Sequence, residues 1–224
     1  MLKIYGADLS GPANKVRMAA HALGIEYEYI RISIRKGANR TEEYLRLHPA
    51  GKIPVIDDDG FILFESDAII KYLASKKGSP LYPADLKQRA LIDQWMDFIT
   101  IHVGGSMGKV VYNRVFASFA GAAVDENSLE EGLKFLRRFL PVIDNQLFKN
   151  AFVAGKQFSL ADIGLLAAMD PAEAAGIDPA PYKRLSQWRK DLQQKEFYTR
   201  CHSSYEEALK KLMAKQKSGS SAGK

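Results

Sequence analysis

Ser10 stands directly ahead of Gly11-Pro12. Proline suits the first turn of a helix, so Ser10 falls where a helix begins. Its hydroxyl can cap that helix by accepting a backbone N–H, and the spacing alone favours this reading. The same hydroxyl can donate a hydrogen bond to an anion held at the positive end of the helix. A second helix start follows at Glu65-Ser66, ahead of Ile69, Ile70, Tyr72 and Leu73. Ser66 can cap there, with Asp67 in the first turn, or the free N–H groups and the hydroxyl can seat a carboxylate. Between them lies Lys52-Ile53-Pro54-Val55, an apolar run that contains a proline and so suits the edge of a sheet. Asn39-Arg40 forms a polar loop ahead of Thr41, which can cap a short helix. The histidines, at 21, 48, 102 and 202, lack metal-ligand spacing, and no metal is expected. No phosphate-loop or dinucleotide fingerprint is present.

The elements that must position these residues follow from periodicity. Lys3 to Ala7 predicts a strand, and Pro12 to Leu23 a helix stopped by Gly24. Glu26 to Ile32 alternates as a strand does, and Thr41 caps a helix through Leu47. Two apolar runs flank Asp57-Asp58-Asp59-Gly60, a strong hairpin signal. Ser66 then opens a helix closed by Lys77-Gly78. Strand, helix, strand, helix, hairpin, helix builds a four-stranded mixed sheet with helices packed on it, an α/β thioredoxin-like arrangement over residues 1–77. Residues 78–85, with Ser79-Pro80 and Tyr82-Pro83, read as a linker. From 86 to 216 strand signals nearly vanish and an all-α domain is expected. Its helices are predicted at Leu86–Phe119 (irregular around Gly104, Gly105 and Gly108), Ser128–Lys149, Leu160 to about Ala172, Tyr182–Lys195 and Ser203–Lys215. Residues 217–224 form a low-complexity tail, expected to be disordered.

The 224 residues, 46% of them hydrophobic, suffice for one large domain or two small ones. No apolar run approaches the roughly 20 residues needed to span a bilayer. A single cysteine, Cys201, excludes an intrachain disulfide. A lone thiol and the lack of a secretion signal at the start fit a cytoplasmic protein. The net charge of +6 is spread among interleaved acids, so neither nucleic acid nor membrane is an expected partner. It does favour small anionic ligands.

Taken in order, four segments resemble the cytosolic glutathione transferases. They are Tyr5-Gly6 with Ser10, His48-Pro49-Ala50-Gly51-Lys52-Ile53-Pro54-Val55, Phe64-Glu65-Ser66-Asp67-Ala68-Ile69, and Phe158-Ser159-Leu160-Ala161-Asp162-Ile163. The likeness covers nearly the whole chain, and the position of Ser10 is most similar to the serine-type phi and theta classes and their bacterial relatives. It implies that glutathione is the co-substrate and that Ser10 donates a hydrogen bond to its sulfur. A free thiol titrates near ~8.5; moving it to about 6.5 needs roughly 2.7 kcal/mol of preference for the anion. A charge-assisted hydrogen bond offers about 1.5 to 3 kcal/mol, and a helix N-terminus about 0.3 to 1 kcal/mol more. Tyr5 is the rival for this role, since other classes use a tyrosine near the first strand's end. The absence of cysteine at position 10 argues against mixed-disulfide chemistry.

The resemblance also implies a cis Ile53-Pro54 bond, with the Ile53 backbone pairing to the cysteinyl unit and Lys52 touching the peptide. Glu65 and Ser66 would hold the γ-glutamyl amine and carboxylate, and Asn39 and Arg40 the glycyl carboxylate. Ser159 and Asp162 form a capping box that serves folding. A pocket for a small hydrophobic electrophile is expected from Met107, Val110, Val111, Tyr112, Val115, Phe116 and Phe119, each of which could equally be core. A homodimer is implied. Three readings compete: a conjugating enzyme (or a lyase, dehalogenase, isomerase or peroxidase sharing its first step), a non-catalytic interaction module on the same fold, and a nucleic-acid binder suggested by charge alone.

Overall fold

The computed structural model describes residues 1–202 and 204–220, with side chains as far as 214. Strand β1 (Leu2–Gly6) pairs in parallel with β2 (Tyr27–Arg31) and antiparallel with β3 (Val55–Asp58). Strand β4 (Phe61–Phe64) completes the order β2-β1-β3-β4. A parallel pair needs a crossover, and helix α1 (Gly11–Ala22) supplies it. Asp59 and Gly60 both take positive φ, 53° and 94°, which lets β3 turn directly into β4. The short helix α2 (Glu42–Leu47) is capped by Thr41, whose hydroxyl accepts from Tyr44 N at 3.3 Å. Helix α3 is Ser66–Lys76. This is the expected thioredoxin-like sheet.

Leu2, Ile4 and Ile56 share one apolar cluster with Val16, Ala19 and Ala20 of α1 and Ile69, Ile70 and Leu73 of α3. Helix α1 comes unusually close to β1: a Cβ on Gly6 would lie 2.8 Å from that of Ala13. Only glycine allows this approach, and it brings the start of α1, and so Ser10, down to the end of β1.

The helical part opens with α4 (Leu86–Phe98), capped by Asp85. It runs without a break through π-helical turns at Ile99–Gly104 into α5 (Gly105–Val111), then through a second π segment at Tyr112–Phe116. The irregularity expected near the glycines is thus a widened helix: glycine favours α-geometry weakly and yields to packing. Helix α6 (Glu126–Lys149) starts two residues before the predicted Ser128, because Asp125 accepts from Ser128 N at 3.0 Å. It buries Leu136, Leu140, Ile143 and Leu147 along one stripe. Helix α7 (Leu160–Met169) is buried almost all round and packs against α1, joining the two parts. Helices α8 (Lys183–Gln193), α9 (Glu196–Thr199) and α10 (Tyr205–Ser220) follow. Residues 217–220, expected in a disordered tail, continue α10; residues 221–224 lie outside the described residues.

Candidate active site

Ser10 is the N-cap of α1, with extended backbone (φ −84°, ψ 110°). Its Oγ accepts from Ala13 N at 3.3 Å. Capping uses a lone pair and leaves the hydroxyl hydrogen free to donate. Capping and donation by Ser10 are therefore compatible: the cap fixes the oxygen, and the hydroxyl hydrogen can rotate toward an acceptor at the helix end. No acid lies in the first turn of α1, so the helix end keeps its positive character.

The loop ahead of Ser10 is held from several directions. Ser10 N donates to Ala7 O at 2.9 Å, and Asn14 Nδ2 to Asp8 O at 2.8 Å. Arg31 Nε meets the Asp8 carboxylate at 3.1 and 3.2 Å. Tyr205 donates its hydroxyl hydrogen to Leu9 O at 3.2 Å. Buried Arg17 bonds Asn14 Oδ1 at 2.9 Å and stacks over Tyr29 at 4.5 Å. Asn14, Arg31 and Tyr205 were invisible to sequence reasoning, because nothing in their spacing ties them to position 10. Tyr5, the rival of Ser10, sits half-buried at the end of β1 with its ring edge-on to Tyr44.

At the start of α3 the cap is Glu65, and Ser66 is already the first helical residue, which corrects the reading of Ser66 as N-cap. Glu65 has φ 68°, a left-handed conformation that costs a non-glycine residue on the order of 1 kcal/mol. The first helical bond runs from Ile69 N to Glu65 O at 2.9 Å. The N–H groups of Ser66, Asp67 and Ala68 therefore lack intrahelical partners and can receive an anion. Asp67 does not compete for them: its carboxylate is taken by Lys15 Nζ at 2.7 Å and Thr100 Oγ1 at 2.6 Å. The Glu65 side chain is exposed.

The Ile53-Pro54 bond is cis. Ile53 is half-buried and precedes β3, while Lys52 is exposed. The segment leading to them is braced from behind. Tyr44 donates to Lys52 O at 2.8 Å, Asn39 Nδ2 to Gly51 O at 2.7 Å, and His48 Nδ1 accepts from Ala50 N at 3.2 Å. Asn39 is thus buried and spent on the loop, whereas Arg40 is exposed and only grazes Ala50 O at 3.4 Å.

The pocket candidates separate by face. Met107, Val110, Val111 and Val115 belong to the core cluster shared with Leu136 and Leu140. Tyr112 is exposed, and Phe116 and Phe119 are half-buried with rings 6.4 Å apart. Met107, Val111 and Val115 are buried side chains of that core, whereas Tyr112, Phe116 and Phe119 keep accessible surface. Surface hollows of about 260 and 480 Å³ lie elsewhere, under the 80–92 segment and beside α8.

A family model described as "Glutathione S-transferase, N-terminal domain" matches residues 10–76, and one described as "Glutathione S-transferase, C-terminal domain" matches residues 104–196. Glutathione S-transferase F10 of Arabidopsis thaliana is 33% identical over 169 residues, 74% of this chain and 78% of its own. Glutathione S-transferase 1 of Manduca sexta is 29% identical over 223 residues, 96% of this chain and 98% of its own. The solved delta-class glutathione transferase of Nilaparvata lugens superposes with a TM-score of 0.82 at 33% identity, covering 94% of this chain and 95% of its own.

Proposed function

The chain belongs to the glutathione S-transferase family, and from that premise we propose a serine-type enzyme in which Ser10 holds the sulfur of glutathione as a thiolate. One observation carries the reading: the Ser10 oxygen is pinned by Ala13 N–H while its proton remains free, at the positive end of a helix without acids in its first turn. The γ-glutamyl carboxylate takes the free N–H groups at the start of α3, and the Glu65 carboxylate takes the amine. The Ile53 backbone meets the cysteinyl unit. Arg40 and Lys52, both exposed and basic, face the glycyl carboxylate. Asn39 serves this end indirectly, through Gly51.

Bound this way, glutathione has its thiol beside Ser10. Stabilising the anion lets the sulfur attack at neutral pH, and the serine acts as donor without ionising. The electrophile is a small hydrophobic molecule, with Tyr112 and Phe116 as the remaining candidates to meet it. We also infer a cytoplasmic homodimer, the usual state of the family. Among the described residues no helix is long and apolar enough to cross a membrane.

Ser10→Ala tests the assignment. Turnover at neutral pH should fall at least about tenfold, as loss of one charge-assisted hydrogen bond requires. Glutathione affinity by calorimetry should change little, because the γ-glutamyl seat is untouched. Wild-type turnover in the variant would transfer the role to Tyr5.

A further inference from the structure

The loop that carries Ser10 is reached from the far end of the chain. Tyr205, at the start of α10, is 3% exposed, and its hydroxyl lies 3.2 Å from the carbonyl oxygen of Leu9. That carbonyl and the N–H of Ser10 belong to one planar peptide unit. The N–H end donates to Ala7 O at 2.9 Å. The unit is therefore held at both polar ends, one by the loop itself and one by Tyr205. Turning it would break a part-buried hydrogen bond and leave the buried Tyr205 hydroxyl without that acceptor. Its orientation sets the direction of the Ser10 side chain, and so the aim of the hydroxyl proton. The approach of the C-terminal segment is reinforced next door, where Arg17 Nη2 of α1 donates to Cys201 O at 3.1 Å. Burial, and after it the Asp170 carboxylate, push the Tyr205 phenol above its ordinary value, so it remains a donor across the working range.

We propose that Tyr205 is a positioning residue for thiol activation: through the Leu9 carbonyl it orients Ser10, which makes the start of the C-terminal helix part of the thiolate site. The inference rests on Ser10 acting as the donor to sulfur. It gives α10 a role in ionising glutathione, separate from any contact with the electrophile.

The test compares wild type, Tyr205→Phe, Ser10→Ala and the double variant as full-length proteins. The ultraviolet absorbance of bound glutathione thiolate is followed against pH, and kcat and KM are measured with an activated aryl chloride. Phenylalanine keeps the ring and removes only the hydroxyl. Tyr205→Phe should raise the apparent pKa of the bound thiol by about 0.5 to 1 unit and lower kcat below that pKa by about three- to tenfold. The KM for glutathione should stay within about twofold, and kcat should rejoin wild type at high pH, where the thiolate forms unaided. On the Ser10→Ala background the same change should add less than about twofold. An unshifted thiol pKa in Tyr205→Phe, or an equal effect on both backgrounds, overturns the role of Tyr205 while leaving Ser10 in place. A wild-type thiol pKa in Ser10→Ala overturns the Ser10 reading, and this one with it. Thermal midpoints accompany each variant; a loss of folded protein lowers the amplitude of the titration but does not move its midpoint, so the thiol pKa decides even then.

Discussion

Gly51 sits at φ 61°, and a Cβ there would stand 2.5 Å from the carbonyl oxygen of Asn39. The close approach exists because the Asn39 amide reaches forward to bond Gly51 O. Two short contacts thus lock the turn that presents Lys52 and Ile53. Gly51→Ala would need both a left-handed alanine, costing about 1 kcal/mol, and a shift of backbone that cannot flex like a side chain. We expect a loss of at least about 2 kcal/mol in urea unfolding and a several-fold rise in the KM for glutathione, with kcat less affected. An unchanged KM would mean that this turn does not shape the site. Asn39 shows why residue roles were only half readable from sequence. Its position in a polar loop was plain and the family resemblance set that loop near the glycyl carboxylate, but whether an amide points outward or backward depends on Gly51, a dozen residues later. Ser10 was readable as a cap, and the cap is formed; the chemistry proposed for it uses the same geometry. The left-handed Glu65 carried no local signal, since nothing in Phe64-Glu65-Ser66 calls for a positive φ.

The best-signalled element is α7. The Ser159-x-x-Asp162 spacing announces a capping box, with Phe158 and Ile163 placed as a staple, and the box is formed. Asp162 does more than cap. Its Oδ2 accepts from Ser159 N and Oγ at 2.9 and 3.1 Å, and its Oδ1 from Val153 N and Trp188 Nε1 at 2.9 and 3.2 Å. Burial nonetheless dominates and pushes the carboxyl up to about 6. A raised folded value means that the folded state binds the proton more tightly, so this group's contribution to stability falls as pH rises from about 4 to about 6 and is flat above. Asp162→Ala leaves three buried N–H groups unpaired and should cost about 3 to 5 kcal/mol, read as a lower urea midpoint with unchanged slope. The variant should also lack the wild-type loss of stability between pH 4 and 6. A variant within about 1 kcal/mol of wild type would show the box to be dispensable. Elements were harder to read where a helix is apolar on more than one side. In the stretch from Gly105 to Phe116, periodicity marks apolar faces without saying which is covered, so Met107, Val111 and Val115 could be read as pocket although all three are buried in the core cluster. The widened turns at Ile99–Gly104 and Tyr112–Phe116 also shift the faces relative to an ideal helix.

At the scale of the whole molecule, the two parts are joined more tightly than a linker reading of residues 78–85 suggests. One apolar cluster runs from Leu2 and Ile4 in the sheet, through α1, to Leu165 and Met169 of α7 and on to Tyr198. Around it, Asp67 of α3 binds Lys15 of α1 and Thr100 of the widened helix, while Arg17 and Tyr205 tie α1 and its loop to the C-terminal segment. Neither part can unfold without exposing apolar surface on the other and, at Thr100–Asp67, breaking a hydrogen bond between them. The chain should therefore unfold as one unit. Both tryptophans, Trp95 and Trp188, lie in the helical part, so their fluorescence reports that part alone. Amide exchange in β1 and β3 reports the sheet. The two probes should give coincident urea transitions. Glutathione seated at Ser10 and Ser66 should also raise the tryptophan-reported midpoint, although its proposed site lies almost wholly in the other part. By mass action the gain is about 2.7 kcal/mol at a hundred times Kd, but only if the parts are coupled. A glutathione-independent tryptophan transition, with the sheet alone protected, would show that the shared core does not bind the two halves into one cooperative fold.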